Sequence, residues 1–261
     1  MYALLLGNEI ERVSEEKDIG VTIDDELTFE KHAQEKIKKE NSSFAAIRRS
    51  FKYLKVDTFL PLYKSMVRSH LVYANSVWAP YKKGIIDQIE SVQKRATKQI
   101  PALRNLSYKE RLQKLKLPTL AYRRIRGDLI GAYTIVHKKY DPDVCNVLKL
   151  MTDSEIRYST RVNPNKIMEQ RFKTNIRKHS FAVRVAKIWN KLPENKTNTP
   201  FLNTFQSRLD RFMENEDIYY SCFRAELSFK SGSGRIGNNE RCMERESGVE
   251  DPYRTCTGTY Q

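Results

Sequence analysis

The sequence is poor in the residues that build compact metal sites and disulfide frameworks. It has four cysteines, and no two of them are separated by only two residues, as paired zinc ligands usually are. The spacing therefore argues against both kinds of site and favours a reducing intracellular compartment, either the nucleus or the cytoplasm. The cysteines are Cys145, Cys222, Cys242 and Cys256.

Catalytic motifs are also lacking. The sequence contains no GxSxG, HExxH, phosphate-loop or GxGxxG motif. A pairing of Cys145 with a histidine stays open from the sequence, although no neighbouring residue indicates an activated thiol. We predict no catalytic residue, no metal ligand and no cofactor for this chain. The histidines lie far apart, at His32, His70, His137 and His179.

Long apolar runs are missing as well. A membrane-spanning helix needs about 20 mostly apolar residues, and no run in the sequence approaches that length. The first residues, MYALLLGNEIERV, lack the positive flank and the cleavage site of a secretory signal. The sequence therefore predicts no membrane partner.

Positive charge is abundant and concentrated in one region. The formal net charge is +15. Residues 31–140 contain 25 basic and 7 acidic residues, a net charge of +18, whereas the rest of the chain contains 22 and 25, a net charge of −3. Such a basic region is typical of proteins that bind RNA, DNA or an acidic membrane surface. Solvated helix faces would give the same composition.

The apolar pattern predicts a mainly α fold with a small N-terminal β element. Short apolar runs flank Gly7–Asn8, which favours a hairpin, and a third strand is predicted over residues 18–23. Between residues 29 and 136, apolar residues spaced three and four apart predict successive amphipathic helices with basic outer faces, one of them over residues 85–99. Ser107 and Glu110 predict a capping box at the start of another. The residues predicted to anchor the core are Leu71, Tyr73, Trp78 and Trp189.

The pattern changes after residue 140. Alternating stretches at 155–162 and 166–175 predict strands, and two amphipathic helices are predicted over 180–192 and 204–213. The glycine-rich polar end of the chain predicts a disordered tail. We predict four regions: a β remnant (1–28), a basic multi-helix domain (29–140), a small α+β segment (141–214) and the tail (215–261).

Asp24 and Asp25 form the one pair of acidic residues that suggests polymerase chemistry. Paired aspartates hold Mg²⁺ in polymerases, but two-metal chemistry needs a further carboxylate from an earlier strand, and only 23 residues precede the pair. A carboxylate at the entry to a helix can instead accept hydrogen bonds from free N–H groups. We therefore predict a capping role for this pair.

The order and spacing of several segments resemble the region that follows the catalytic palm in non-LTR retrotransposon reverse transcriptases of the jockey type. The first segments are KDIGVTIDDELTFEKH (17–32), FKYL with LYKSMVRSHLVYANSVWAP (51–80), IESVQKRAT (89–97) and YKERLQKLKLPTLAYRRIRGDLI (108–130). Two later segments resemble the end of the same polyproteins, SFAVRVAKIWNKLP (180–193) and FLNTFQSRLD (201–210).

The resemblance implies a thumb-like helical domain that grips an RNA or DNA template and primer. The activity of the whole family enzyme is RNA-directed DNA polymerisation, with Mg²⁺ as its cofactor. Because no segment here resembles the fingers or the palm, we expect a C-terminal piece that is inactive alone and keeps its nucleic-acid binding. A second hypothesis, from another class, is a non-enzymatic helical adaptor. It would bind a protein, or the missing palm, through an exposed apolar surface.

The candidate nucleic-acid ligands are cations of the predicted basic helices, which would neutralise phosphates and release counterions. Arg123, Arg124 and Arg126 lie near a helix start, where the helix dipole disfavours positive charge, so an anionic partner or a nearby acid such as Asp128 is expected. The full set is Arg48, Arg49, Lys52, Lys94, Arg95, Lys98, Arg111, Arg123, Arg124 and Arg126.

Overall fold

Two β-hairpins open the chain in the computed structural model, which describes residues 3–5, 8–10, 13–51, 53–153, 165–214 and 219–220. Strand β1 (Ala3–Leu5) pairs antiparallel with β2 (Asn8–Ile10), and β3 (Glu15–Asp18) pairs antiparallel with β4 (Val21–Asp24). Ile19 and Gly20 form the second turn with φ of 43° and 76°, as a two-residue type I′ turn requires. This turn divides the strand that the sequence predicts over residues 18–23.

Helices make up most of the described chain, so the predicted mainly α fold with a small N-terminal β element is confirmed. A π-helical segment, Tyr63–Arg68, joins the second helix to the third, and 3₁₀ turns lie at Pro101–Leu103 and Met151–Asp153. The α-helices are α1 (Glu30–Ser50), α2 (Val56–Leu62), α3 (Ser69–Val72), α4 (Lys83–Lys98), α5 (Tyr108–Leu115), α6 (Leu120–Val136), α7 (Pro142–Cys145), α8 (Asn175–His179), α9 (Phe181–Trp189), α10 (Glu194–Thr197) and α11 (Leu202–Met213).

Side-chain caps fix where several helices begin. At α5, the Ser107 hydroxyl accepts from the Glu110 N–H and the Glu110 carboxylate accepts from the Ser107 N–H, which completes a capping box. At α6, Thr119 accepts from the Tyr122 N–H at 3.1 Å, and the buried Glu90 carboxylate accepts from the Leu120 N–H at 3.0 Å. The start of α6 is thus tied to α4, which carries Glu90.

The C-terminal part of the described chain contains less β structure than the sequence predicts. Residues 166–175 form a single bridge, between Ile167 and Leu150, and no strand. Ile167 lies at the C-terminal end of α9, where the amide oxygen of Asn190 accepts from the Ile167 N–H at 2.9 Å. The strand predicted at 155–162 and most of the predicted tail lie outside the described residues.

The buried apolar residues form two cores. The first contains Leu71 and Trp78 and is built from β4, α1 to α5 and the π-helical segment. The second contains Trp189 and is built from α6, α9 and α11. The division falls at the start of α6, where Leu120 belongs to the first core and Tyr122 to the second. Among the helices that the structure describes, none has both the length and the apolar character that crossing a bilayer takes.

Tyr73 is a correction to the predicted core. Leu71 and Trp78 are fully buried, but the Tyr73 side chain is 45% exposed. The chain leaves α3 at Tyr73 in an extended conformation, which turns the ring outward. Its backbone still serves the core, because the Tyr73 carbonyl accepts from the Trp78 indole N–H at 2.7 Å. Tyr73 therefore contributes its backbone carbonyl to the core, and its ring faces outward instead of being buried as the sequence predicted.

Candidate nucleic-acid interface

Helices α1 and α4 run side by side in the same direction. Near their N-termini, Lys82 forms an ion pair with Glu30. About three turns further along, the Arg95 guanidinium donates to the Asn41 side chain, with Nη2 and Oδ1 3.0 Å apart. Because both contacts occur in the same order along the two helices, α1 and α4 are parallel. Their C-terminal halves therefore lie side by side and form one surface.

The C-terminal halves of these two helices expose cations and no carboxylate. Side chains three, four or seven residues apart share a helix face, and Lys38 and Arg48 of α1 lie toward α4 by this spacing from Asn41. Arg49 follows Arg48 in the last turn of α1. Glu40, the acidic residue of this half of α1, is fully buried. The basic track, as we call this surface, consists of Lys38, Arg48, Arg49, Lys94, Arg95 and Lys98, all exposed.

The basic track therefore contains five of the ten predicted nucleic-acid ligands. Lys52 lies outside the described residues. Lys94 lies over the Tyr108 ring, with its Nζ 5.5 Å from the ring centre. Cations in the last turns of α1 and α4 also interact favourably with the helix dipoles, so the same charges stabilise the helices that carry them.

Arg111 is not part of this surface. It is buried, and its guanidinium donates to the Thr97 hydroxyl at 3.2 Å and to the Leu106 carbonyl at 2.7 Å. Burial lowers its pKa. The side chain joins α4 to α5 instead of facing solvent, which corrects its prediction as a phosphate ligand.

The three arginines of α6 have different environments. Arg126 binds Asp210 of α11 through two hydrogen bonds of 2.6 and 2.9 Å, a bidentate pair that leaves little of its guanidinium for a partner. Arg124 is buried, with 7% of its surface exposed. Arg123 is only partly buried. The sequence analysis expected an acid near these arginines, and for Arg126 that acid is Asp210. Arg124 and Arg126 were also predicted to bind nucleic acid, and their burial and pairing correct that prediction.

Asp128, the acid suggested from the sequence, pairs with a residue that sequence reasoning missed. Both Asp128 oxygens accept from the Arg184 guanidinium of α9, at 2.8 and 3.0 Å. Arg184 also donates to the carbonyls of Asn75 and Ser76 at 3.0 and 3.1 Å. These bonds connect α6 and α9 to the segment before Trp78, and only the fold brings the residues together.

The aspartate pair near the N-terminus acts on the start of α1. The Asp24 carboxylate accepts from the N–H groups of Thr28 and Phe29, at 2.8 and 2.7 Å. Partial burial opposes these hydrogen bonds, but they prevail and lower the pKa of Asp24. Asp25 is exposed. Because the Asp24 oxygens are engaged by backbone donors, these residues do not fit the Mg²⁺ site of a polymerase.

Two tyrosines of the helical region, Tyr108 and Tyr81, are already in contact with protein groups. Tyr108 lies between Lys94 and Arg111, and its hydroxyl donates to Glu90 at 2.5 Å. Tyr81 stacks on His179 with ring centres 4.5 Å apart. Both rings therefore already have a protein partner, whereas the cations of the basic track are exposed and suit contact with phosphates.

Among the described residues, no cluster of three or more histidine, cysteine or acidic side chains has a geometry that would hold a metal ion. Comparison of the chain with protein-family models, with curated proteins and with solved structures finds no match.

Proposed function

We propose that this chain binds RNA or DNA through the basic track, and that it derives from the thumb-like region of a non-LTR retrotransposon reverse transcriptase. The observation that supports the binding is the pairing of α1 and α4 with six exposed cations and no exposed carboxylate on the shared surface. Cations arranged in this way neutralise phosphates without reading base sequence. Such contacts are what a polymerase needs for its template and primer.

The test is the salt dependence of binding. Fluorescence anisotropy with labelled RNA and DNA duplexes at several salt concentrations gives the number of phosphates neutralised, from a slope of roughly −0.7 to −0.9 per contact. The combined variant Arg48→Gln, Arg49→Gln and Lys98→Gln should reduce the magnitude of the slope by about 2 and weaken binding at least about tenfold.

The matched control removes the same charge from another surface. Arg171, Lys173 and Lys178 are all exposed and lie outside the basic track. Their combined substitution by Gln should leave the slope of log affinity against log salt near the wild-type value. Equal losses in both triple variants would mean that net charge alone drives binding, and the assignment to α1 and α4 would be rejected.

The expected lack of polymerase activity is tested separately. The family chemistry requires metal-binding carboxylates, and Asp24 is engaged in capping. Primer extension with Mg²⁺ and a homopolymer template should give no incorporation by this chain. Robust incorporation would reject the proposal that only the binding role is retained here.

A second candidate function rests on a small apolar surface beside Tyr73. The Tyr73 hydroxyl donates to the Ile19 carbonyl at 3.0 Å, which places these two residues together, and the Ile19 side chain is 79% exposed. Val77, four residues after Tyr73 in the chain, is 56% exposed. Exposed apolar groups of this kind favour a protein-binding adaptor. A chain with this function alone would show no saturable binding to RNA or DNA at low salt.

A further inference from the structure

An open cavity lies beside the second core, between the end of α9 and the stretch of chain that precedes α8. Its volume is about 680 Å³, within the range of roughly 300–1,000 Å³ that small-molecule pockets have. One wall is formed by residues 166–169 and Met151, and the other by the last turn of α9 and the turn that follows it. The cavity shares no residue with the basic track, so it is a separate candidate for a binding site.

Hydrogen bonds hold the two walls of this cavity together. The Asn190 amide binds the backbone of Ile167 on both sides: its oxygen accepts from the Ile167 N–H at 2.9 Å, and its nitrogen donates to the Ile167 carbonyl at 2.8 Å. The Met151 N–H donates to the Lys166 carbonyl at 2.9 Å. The cavity is therefore formed without a ligand, as most small-molecule sites are.

The lining of the cavity combines cations with apolar side chains. The cations are Lys166, Lys187 and Lys191, and the apolar side chains are those of Met151, Ile167 and Met168. Ile167 is almost fully buried and belongs to the second core. Methionine side chains are flexible and polarizable, so they adapt to ligands of different shapes. A ligand in this cavity would meet positive charge and an apolar surface at the same time.

The cations outnumber the carboxylates among the described residues that line the cavity. Glu169 is the acidic residue there, and its carboxylate accepts from the Asn190 amide at 3.4 Å. Neither Lys166 nor Lys187 has an ion pair with a carboxylate of the described chain. The Lys187 ammonium instead lies over the Phe172 ring, with its Nζ 5.0 Å from the ring centre. Three lysines and one glutamate give this lining a net charge of +2.

We propose that this cavity binds a small organic anion in which a carboxylate or phosphate group is attached to an apolar body. Lys166 and Lys187 pair with the anionic group, and Met151, Ile167 and Met168 contact the apolar body. An ammonium group acts as a compact point charge without a fixed fork of donors, so both anionic groups suit it. This inference does not depend on the proposed nucleic-acid function, because the cavity and the basic track lie on different elements.

The helix dipole offers another explanation for part of this charge. A cation in the last turn of a helix interacts favourably with the dipole, and Lys187 lies in the last turn of α9. The dipole does not explain Lys166, which lies on the other wall, or the apolar residues beside both lysines. Only a ligand-binding role predicts that charge and apolar contact act together.

The first experiment measures binding to the full chain by isothermal calorimetry at constant ionic strength. Octanoate and adenosine 5′-monophosphate represent the two sources of the anionic group. Octanol and adenosine lack the charge, whereas acetate and inorganic phosphate lack the apolar body. At least one of the two complete ligands should bind saturably at one site, about tenfold or more tightly than both of its partial counterparts. The ligand that binds identifies the source. If neither binds saturably, or if the neutral counterpart binds equally well, the proposal is rejected.

Lysine variants locate the site. Lys166→Gln and Lys187→Gln should each weaken binding of the anion about tenfold, as expected for the loss of a charge-assisted hydrogen bond. Lys187→Arg keeps the charge and should lose less. Lys178→Gln, at an exposed lysine of α8 outside the cavity lining, should change nothing. Equal losses in Lys178→Gln and Lys187→Gln would mean that net charge alone attracts the anion, and the site would be rejected.

Two further variants test the apolar contact and the independence from the basic track. Met168→Gln should weaken binding of the complete ligand several-fold through lost apolar contact, and an unchanged affinity would overturn the proposal. The triple variant of Arg48, Arg49 and Lys98 keeps the cavity, so it should bind the anion as the wild type does even when nucleic-acid binding fails. Loss of the anion in that triple variant would assign the binding to the basic track and reject the cavity.

Discussion

The two cores of this protein give some of their buried ionisable groups different surroundings. In the first core, His32 and Glu40 are buried, and among the described residues the Glu40 carboxylate and the His32 Nε2 have no hydrogen-bond partner. In the second, Asp128 is 5% exposed and binds Arg184 through two hydrogen bonds. A buried charge with a partner stays charged, whereas one without a partner shifts its pKa toward neutrality.

The pKa values in the first core follow this rule. Glu40 lies on the apolar stripe of α1 with Ile37 and Phe44, and burial raises its pKa to about 7. Burial lowers the pKa of His32 to about 4. Its Nδ1 accepts from the Thr22 N–H at 3.0 Å, which suits a neutral ring. Burial also raises the pKa of Asp128 in the second core, but there the hydrogen bonds and the charge of Arg184 oppose the rise, whereas the Glu40 carboxylate has no hydrogen-bond partner among the described residues.

The largest expected effect comes from breaking the pair in the second core. Asp128→Ala leaves the Arg184 guanidinium without its carboxylate in a buried position, and we expect the free energy of unfolding to fall by about 3–5 kcal/mol. Urea denaturation at pH 7 measures it. Replacing both residues, as Asp128→Ala with Arg184→Met, should cost less than the sum of the single changes.

An ion pair on the surface supplies the control for this prediction. Lys82 and Glu30 join α4 to α1 in an exposed position. Because water and salt screen such pairs, Lys82→Ala should change stability little. If Lys82→Ala and Asp128→Ala lower the free energy of unfolding equally, burial does not explain the stabilisation by the Asp128–Arg184 pair. The contrast between the cores would then be rejected.

The next effect concerns Glu40 and depends on pH. The folded state binds its proton more tightly than the unfolded state, so the stability due to the neutral carboxyl is complete below pH 4.5 and is lost as pH rises to about 7. Glu40→Gln removes this loss. Its stability relative to wild type should therefore increase by about 3 kcal/mol between pH 4 and pH 8. Urea denaturation across this range measures the difference, and parallel curves would contradict it.

His32 provides the matched and opposite case. The pKa of His32 is lowered in the folded state. The stability that comes from its neutral ring is therefore complete above pH 6.5 and is lost as pH falls toward 4. His32→Asn should keep the acceptor for the Thr22 N–H and remove this loss. In the wild type the two residues act in opposite directions between pH 4.5 and 6.5, so each single variant should show a steeper pH dependence than the parent protein.

The smallest effects come from two helical glycines. At Gly127 a Cβ would lie 2.8 Å from the Asn75 side chain, whose amide donates to Asp128 at 3.0 Å. Gly127→Ala should therefore displace Asn75 and cost roughly 1–3 kcal/mol. At Gly84 in α4 a Cβ would meet nothing within 4 Å. Gly84→Ala should stabilise by about 0.5–1 kcal/mol. Thermal unfolding distinguishes the signs, and equal signs would contradict the assignment.

Local signals in the sequence predicted the helices well. The apolar spacing indicated α4 over residues 85–99 and the structure has it at Lys83–Lys98. The Ser107 and Glu110 pair predicted the start of α5, and both of its reciprocal hydrogen bonds form. These features depend on residues within one or two turns of each other, so the linear order of the chain contains the information.

Features that depend on distant residues could not be predicted. Arg184 reaches Asn75 across more than a hundred residues, and Arg126 meets Asp210 across 84. In the sequence Glu40 interrupts an apolar stripe, yet in the fold it lies within that stripe and is buried. Charge and spacing identify a basic helix, but tertiary packing decides which arginines face solvent. This is why four of the predicted ligands that the structure describes are not in the basic track: Arg111, Arg123, Arg124 and Arg126.

The π-helical segment at Tyr63–Arg68 joins α2 to α3 and sets the direction in which the side chains of α3 point relative to those of α2. A π turn bonds residue i to i+5, so it accommodates one residue more than an α turn. Deleting a single residue there, such as Ser65, would let the backbone revert to α-helix and rotate Arg68 and α3 by about 100° relative to α2. Leu71, which is now fully buried, would turn away from the core by that angle. One additional residue in the π-helical segment thus keeps this leucine in the core.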